Sequence, residues 1–167
     1  MNTFEPSMLL PGDHLLYAPG CSIINRIICW KTWSPVCHIE IYAGYGHSWA
    51  SRNMIGVGQY PVRLDLLAFV LRPKAMADFA SGMRWFRERA DGQGYDLAGL
   101  LVFYLAVKRG SQDRMFCSEF AARWDRFAGI DSFSLDWDAD AIAPGNFLMS
   151  PAFTIAWRDR KYKLPTH

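Results

Sequence analysis

The chain has 167 residues, with 18 Lys and Arg against 16 Asp and Glu, a formal net charge of +2, and 51% hydrophobic side chains. That length suits a single domain, residues 1–167, with a real core, and the composition excludes a disordered chain. The charge balance, with one short basic cluster at 158–163, offers no stripe for a nucleic acid, so no nucleic-acid partner is expected.

Elements follow in chain order. Pro11-Gly12-Asp13 is a turn, and His14–Ala18 after it a short strand. Residues 23–30 predict a short helix with isoleucines and Trp30 on its apolar side. His38-Ile39-Glu40-Ile41-Tyr42-Ala43 alternates as a strand, with His38, Glu40 and Tyr42 on one face and Ile39, Ile41 and Ala43 on the other. Gly44-Tyr45-Gly46 is a hairpin turn, and 48–52 returns as the partner strand. Two more strands are expected at 57–62 and 68–72. Met76, Phe79, Ala80, Met83 and Phe86 recur at helical spacing across 75–90. A second helical stretch follows Tyr95-Asp96, and 108–114 is a polar loop. A third helix starts near Phe116-Cys117-Ser118-Glu119 and runs to about Phe127, with Cys117, Phe120, Ala121, Trp124 and Ala128 as its stripe and Gly129 as its stop. Residues 131–140 form an acidic loop, and 153–157 a last strand. The sum is α+β: a small antiparallel, barrel-like sheet with helices packed on it.

Cysteine usage narrows the chemistry. Cys21, Cys29, Cys37 and Cys117 form no CxxC pair and no zinc spacing is present, so no zinc site is expected, and the thiol chemistry weighed below needs no metal or organic cofactor. The first residues lack a basic region and an apolar core of the secretory type. This reading predicts a cytoplasmic chain with free thiols. The longest apolar run, 97–107, is shorter than the roughly 20 residues a membrane span needs, so no integral membrane segment is expected.

Cys117 opens a helix, where unpaired N–H groups and the helix dipole favour a thiolate and can hold an oxyanion. The alternative is an inert cysteine on an apolar stripe. His38 is the natural base, or else a structural histidine. Cys37, its neighbour, points to the opposite face. A thiol nucleophile needs a base, and the base needs a third group to orient it. Glu40 shares the face of His38, about 6.6 Å along the strand. Ser51 lies on the returning strand. His47 sits near the hairpin tip, on the order of 15 Å away. Tyr95 offers a hydroxyl for oxyanion support. Asp96 beside it reads as a helix cap. A metal site built from Cys117, His38 and Cys37 is disfavoured by the opposed side chains.

These residues, in this order, resemble the circularly permuted branch of the NlpC-type cysteine peptidases, the YiiX/YaeF-like group. The likeness begins at Pro11-Gly12-Asp13 and continues through Ile27-Ile28-Cys29-Trp30. Ser34-Pro35-Val36-Cys37-His38-Ile39-Glu40-Ile41-Tyr42-Ala43-Gly44 resembles the family strand that carries the catalytic histidine. Gly94-Tyr95-Asp96, Phe116-Cys117-Ser118-Glu119-Phe120, Ala143-Pro144 and Ser150-Pro151 resemble later motifs. Histidine before cysteine is the permuted order. The resemblance implies a permuted papain-like fold and a cysteine hydrolase acting on amide bonds, with cell-wall peptides among its substrates. Cys117 is then the nucleophile and His38 the base. Relatives with acyltransferase activity suggest lipid or thioester acyl groups as a variant. The family's third residue falls near Trp49, which cannot orient an imidazole, so Glu40 is expected to replace it, with Ser51 as the alternative. That departure also leaves open a catalytically silent binding or assembly module, and a phage-associated setting. Oligomeric state is not legible.

Overall fold

A computed structural model describes residues 4–20, 23–53, 55–94 and 115–163. Six strands form one sheet: β1 (His14–Tyr17), β2 (His38–Gly44), β3 (His47–Arg52), β4 (Gly56–Pro61), β5 (Leu67–Pro73) and β6 (Phe153–Arg158). Their spatial order is β4-β3-β2-β1-β5-β6, and every pairing is antiparallel. The α+β class is as expected. The barrel-like closure is not: the sheet is open, with β4 and β6 as its edges. Closure would need β4 to meet β6. Instead β4 turns its outer side to the chain after the second helix, where Val57 N–H donates to Gln93 O at 2.7 Å and Gly92 N–H to Val57 O at 3.1 Å.

The β2–β3 hairpin turns at Tyr45 and Gly46, both with positive φ (51° and 75°). That geometry matches the right-handed twist of the flanking strands. Alternation along the strands then sorts the side chains. His14, Leu16, Ile39, Ile41, Trp49, Phe69 and Leu71 line the inner face. Leu15, Tyr17, Tyr42 and Val70 line the other, with Leu9 packed on them.

Three α-helices are described: α1 (Ile23–Thr32), α2 (Phe79–Trp85) and α3 (Cys117–Phe127). α2 begins later than the spacing from residue 75 predicts. The Asp78 carboxylate accepts Ser81 N–H at 3.0 Å and stops the helix there, so Met76 lies outside it and is fully exposed. After Trp85 the chain continues as a wider π turn, Phe86–Ala90. α3 runs over the expected residues, and its stripe of Cys117, Phe120, Ala121, Trp124 and Ala128 is buried against the inner face of the sheet. Gly129 follows with φ +69°, the left-handed stop that glycine favours. The expected helix at 97–107, the loop at 108–114 and Cys21 lie outside the described residues.

α1 departs from expectation in its packing. Ile28 is buried, but Ile23, Ile27 and Trp30 point outward. The side turned inward is Ile28 with Cys29, which meets Cys37 and Phe116.

One polar contact ties α3 to the sheet. His14, fully buried on β1, meets the Asp125 carboxylate through Nε2 at 2.8 Å and Gly12 O through Nδ1 at 3.1 Å. Phe147, Phe153 and Trp124 surround the ring.

Candidate active site

Cys117 is the first residue of α3. Phe116 before it is extended (φ −91°, ψ 171°), and its own side chain makes no cap hydrogen bond. The first N–H groups of the helix therefore lack intrahelical partners, and the positive end of the dipole lies at the sulfur. The approach to this position is fixed by two bonds: Met115 N–H donates to Gly94 O at 3.2 Å, and Ser51 Oγ donates to Met115 O at 2.5 Å. The Cys117 sulfur lies 3.9 Å from the carbonyl oxygen of Cys37, the residue next to His38.

His38 opens β2, paired with Tyr17 of β1. Its Nε2 meets Glu40 Oε1 at 2.9 Å. Burial works against a charge on this ring. The Cys117 thiol beside it and the Glu40 carboxylate more than offset that, and the imidazole is pushed up to about 9. Glu40 is thus in direct contact with the imidazole, and Cys117, whose sulfur lies against the carbonyl of Cys37, is near enough to act on the ring.

Glu40 is fully buried, which alone would raise its carboxyl. Donors reverse this. Besides His38, the carboxylate accepts from Arg52 Nε at 2.9 Å, Arg52 Nη2 at 3.1 Å, Arg63 Nη2 at 3.3 Å, Ser48 Oγ at 2.5 Å and Tyr17 OH at 3.2 Å. Together they hold it well below the usual carboxylate range. The Tyr17 hydroxyl moves the other way: burial, then the Glu40 charge, raise it far above its ordinary value, so it remains a donor. Arg63 also lies over the Tyr17 ring, 4.9 Å from its centroid.

The other expected residues fall elsewhere. Ser51 faces the inner side with Trp49, and its hydroxyl serves Met115 O. His47 turns its Nδ1 to Tyr45 O at the hairpin tip. Tyr95 and Asp96 lie outside the described residues. Cys37 is buried, with its sulfur 3.6 Å from Tyr17 O. A hydrogen bond with Cys29, then burial, raises its thiol far above the ordinary value, so it stays protonated. No cluster of three or more His, Cys, Asp or Glu suited to a metal occurs among the described residues.

Tyr17, Ser48, Arg52 and Arg63 were not singled out from the sequence. Two signals could have found some of them. A carboxylate on a buried strand requires cations, and alternation from Ser48 places Arg52 on the same face.

Cys117 is only 4% exposed and the His38 side chain 12%. Among the described residues, one cleft of about 930 Å³ opens beside Arg84, Arg123 and Asp140 and another beside Phe133, Leu135 and Trp137; neither of these is lined by Cys117 or His38. Among the described residues no helix is long and apolar enough to cross a membrane. No protein-family model matches the chain, and no curated protein matches it either.

Proposed function

We propose that this chain is a cysteine hydrolase of the permuted papain-like type that cleaves an amide bond through an acyl-enzyme. The observation that carries the reading is the His38 imidazole tied to the buried Glu40 carboxylate, with the Cys117 sulfur at a helix start against the carbonyl of Cys37, the residue next to His38. Glu40 orients the ring and favours its protonated form, so an imidazolium stands beside the thiolate. The thiolate attacks the carbonyl carbon, forming a C–S bond. The oxyanion meets helix N–H groups, with Tyr95 as a further donor in this reading. His38 gives its proton to the leaving amine as the C–N bond breaks. Water, deprotonated by His38, then attacks the thioester, and the acid and the thiol are released. The resemblance of the motifs supports cell-wall peptides as substrates.

A second reading has its own observation. The small exposure of Cys117 favours a binding module in which the pair is present but closed to substrate. Labelling with iodoacetamide separates the two. The hydrolase reading expects labelling at pH 7 to concentrate on Cys117 and to fall at least tenfold in His38→Ala. Labelling of Cys117 no faster than that of Cys29, in wild type and variant alike, would leave the binding module standing.

A further inference from the structure

α1 has one face in the protein and one in solvent. Ile28 and Cys29 pack on Cys37 and Phe116. Opposite them stand Ile23, Ile27 and Trp30, the last 68% exposed, and Trp33 just beyond the helix is 87% exposed. At about 100° per residue, Ile23, Ile27 and Trp30 fall in one stripe, with Arg26 on one flank and Lys31 on the other. Both cations are exposed, and the Lys31 ammonium lies 5.8 Å from the Trp30 ring centroid. No acidic residue occurs between Asp13 and Glu40. Trp33 holds φ +49°, a conformation uncommon for a bulky side chain.

We propose that this outer face of α1 docks the protein on an anionic lipid surface. An apolar stripe edged by cations, with tryptophans at the level of the headgroups, is the pattern of a helix that lies in a membrane interface. The charge distribution selects this occupant. A purely apolar partner would gain nothing from cations on both flanks, whereas anionic headgroups meet Arg26 and Lys31 as the isoleucines and tryptophans enter the acyl boundary. At 10 residues the helix is about 15 Å long, so it lies on a bilayer rather than through it. Its inner face touches Phe116, the residue before Cys117, so docking would bring the lipid surface close to the site. The proposal does not depend on hydrolysis, because its readout is binding.

The test is co-sedimentation of the full chain with vesicles of phosphatidylcholine alone and of phosphatidylcholine with about one third phosphatidylserine. Binding to the anionic vesicles is expected, with a blue shift of tryptophan emission, and little binding to the neutral ones. Arg26→Glu with Lys31→Glu should weaken it by about tenfold or more, and Trp30→Ser with Trp33→Ser should abolish the blue shift. These side chains are exposed, so circular dichroism should show the fold retained. Cys117→Ala should bind as wild type. Failure of the wild-type chain to bind, or equal binding by the variants, would overturn the proposal. So would a self-associated chain, seen by sedimentation velocity, that Trp30→Ser with Trp33→Ser disperses; this would assign the face to a second copy.

Discussion

At the scale of single residues, Glu40 decides what His38 can do. Glu40→Gln keeps the shape and removes the charge. Arg52 and Arg63 then lose their anion, and the imidazole loses the partner that favours its proton. Breaking a buried pair costs about 3–5 kcal/mol; the lower end is expected here because both arginines reach solvent. Urea unfolding measures this. Linkage makes a second, signed prediction. The folded state holds the His38 proton up to about 9, above the ordinary imidazole value near 6.5. The resulting stability is present in full below about pH 6.5 and is lost as pH rises through about 9. Wild type should therefore lose more unfolding free energy between pH 6 and pH 10 than His38→Gln does. Equal losses would show that the ring is not held protonated.

At the scale of elements, the contact of α2 with α3 rests on a glycine. A Cβ at Gly82 would lie 2.6 Å from Trp124, whose ring is fully buried. Helix propensity alone predicts that Gly82→Ala stabilises by about 1 kcal/mol. Overpacking against a ring that cannot move predicts a loss of about 1–3 kcal/mol, and this effect should win. A melting temperature below that of wild type is the expected result. The late start of α2 has a similar local cause. Apolar spacing continues back to Met76, but the Asp78 carboxylate takes the Ser81 N–H first, and spacing carries no information about which polar residue caps.

At the scale of the whole molecule, α3 must sit on the sheet for Cys117 to meet His38, and the His14–Asp125 pair lies in that interface with both side chains fully buried. Asp125→Ala leaves His14 without its partner in an aromatic surround. A loss of about 1–3 kcal/mol, the cost of a buried polar group left without its hydrogen-bond partner, is expected by thermal or urea unfolding. Asp125 is far along α3 from Cys117, so whatever folded protein remains should still label at Cys117. A variant as stable as wild type would show that aromatic packing alone holds α3 down.

The pattern of side chains was enough to mark the strands, a helix starting near residues 116–119 and the face shared by His38 and Glu40. Each is a local matter: alternation puts two residues of one strand on one face, and helical spacing collects the stripe that α3 buries. The open sheet was not legible, because closure depends on whether β4 meets β6 across the whole fold. Nor was the direction of α1, where Ile23, Ile27 and Ile28 share one broad side of the helix and only contact with Cys37 and Phe116 selects Ile28 as the buried edge. The arginines around Glu40 belong to the same class. Arg63 comes from beyond β4, and a charge brought from that distance in the chain becomes a neighbour only when tertiary packing removes both groups from water.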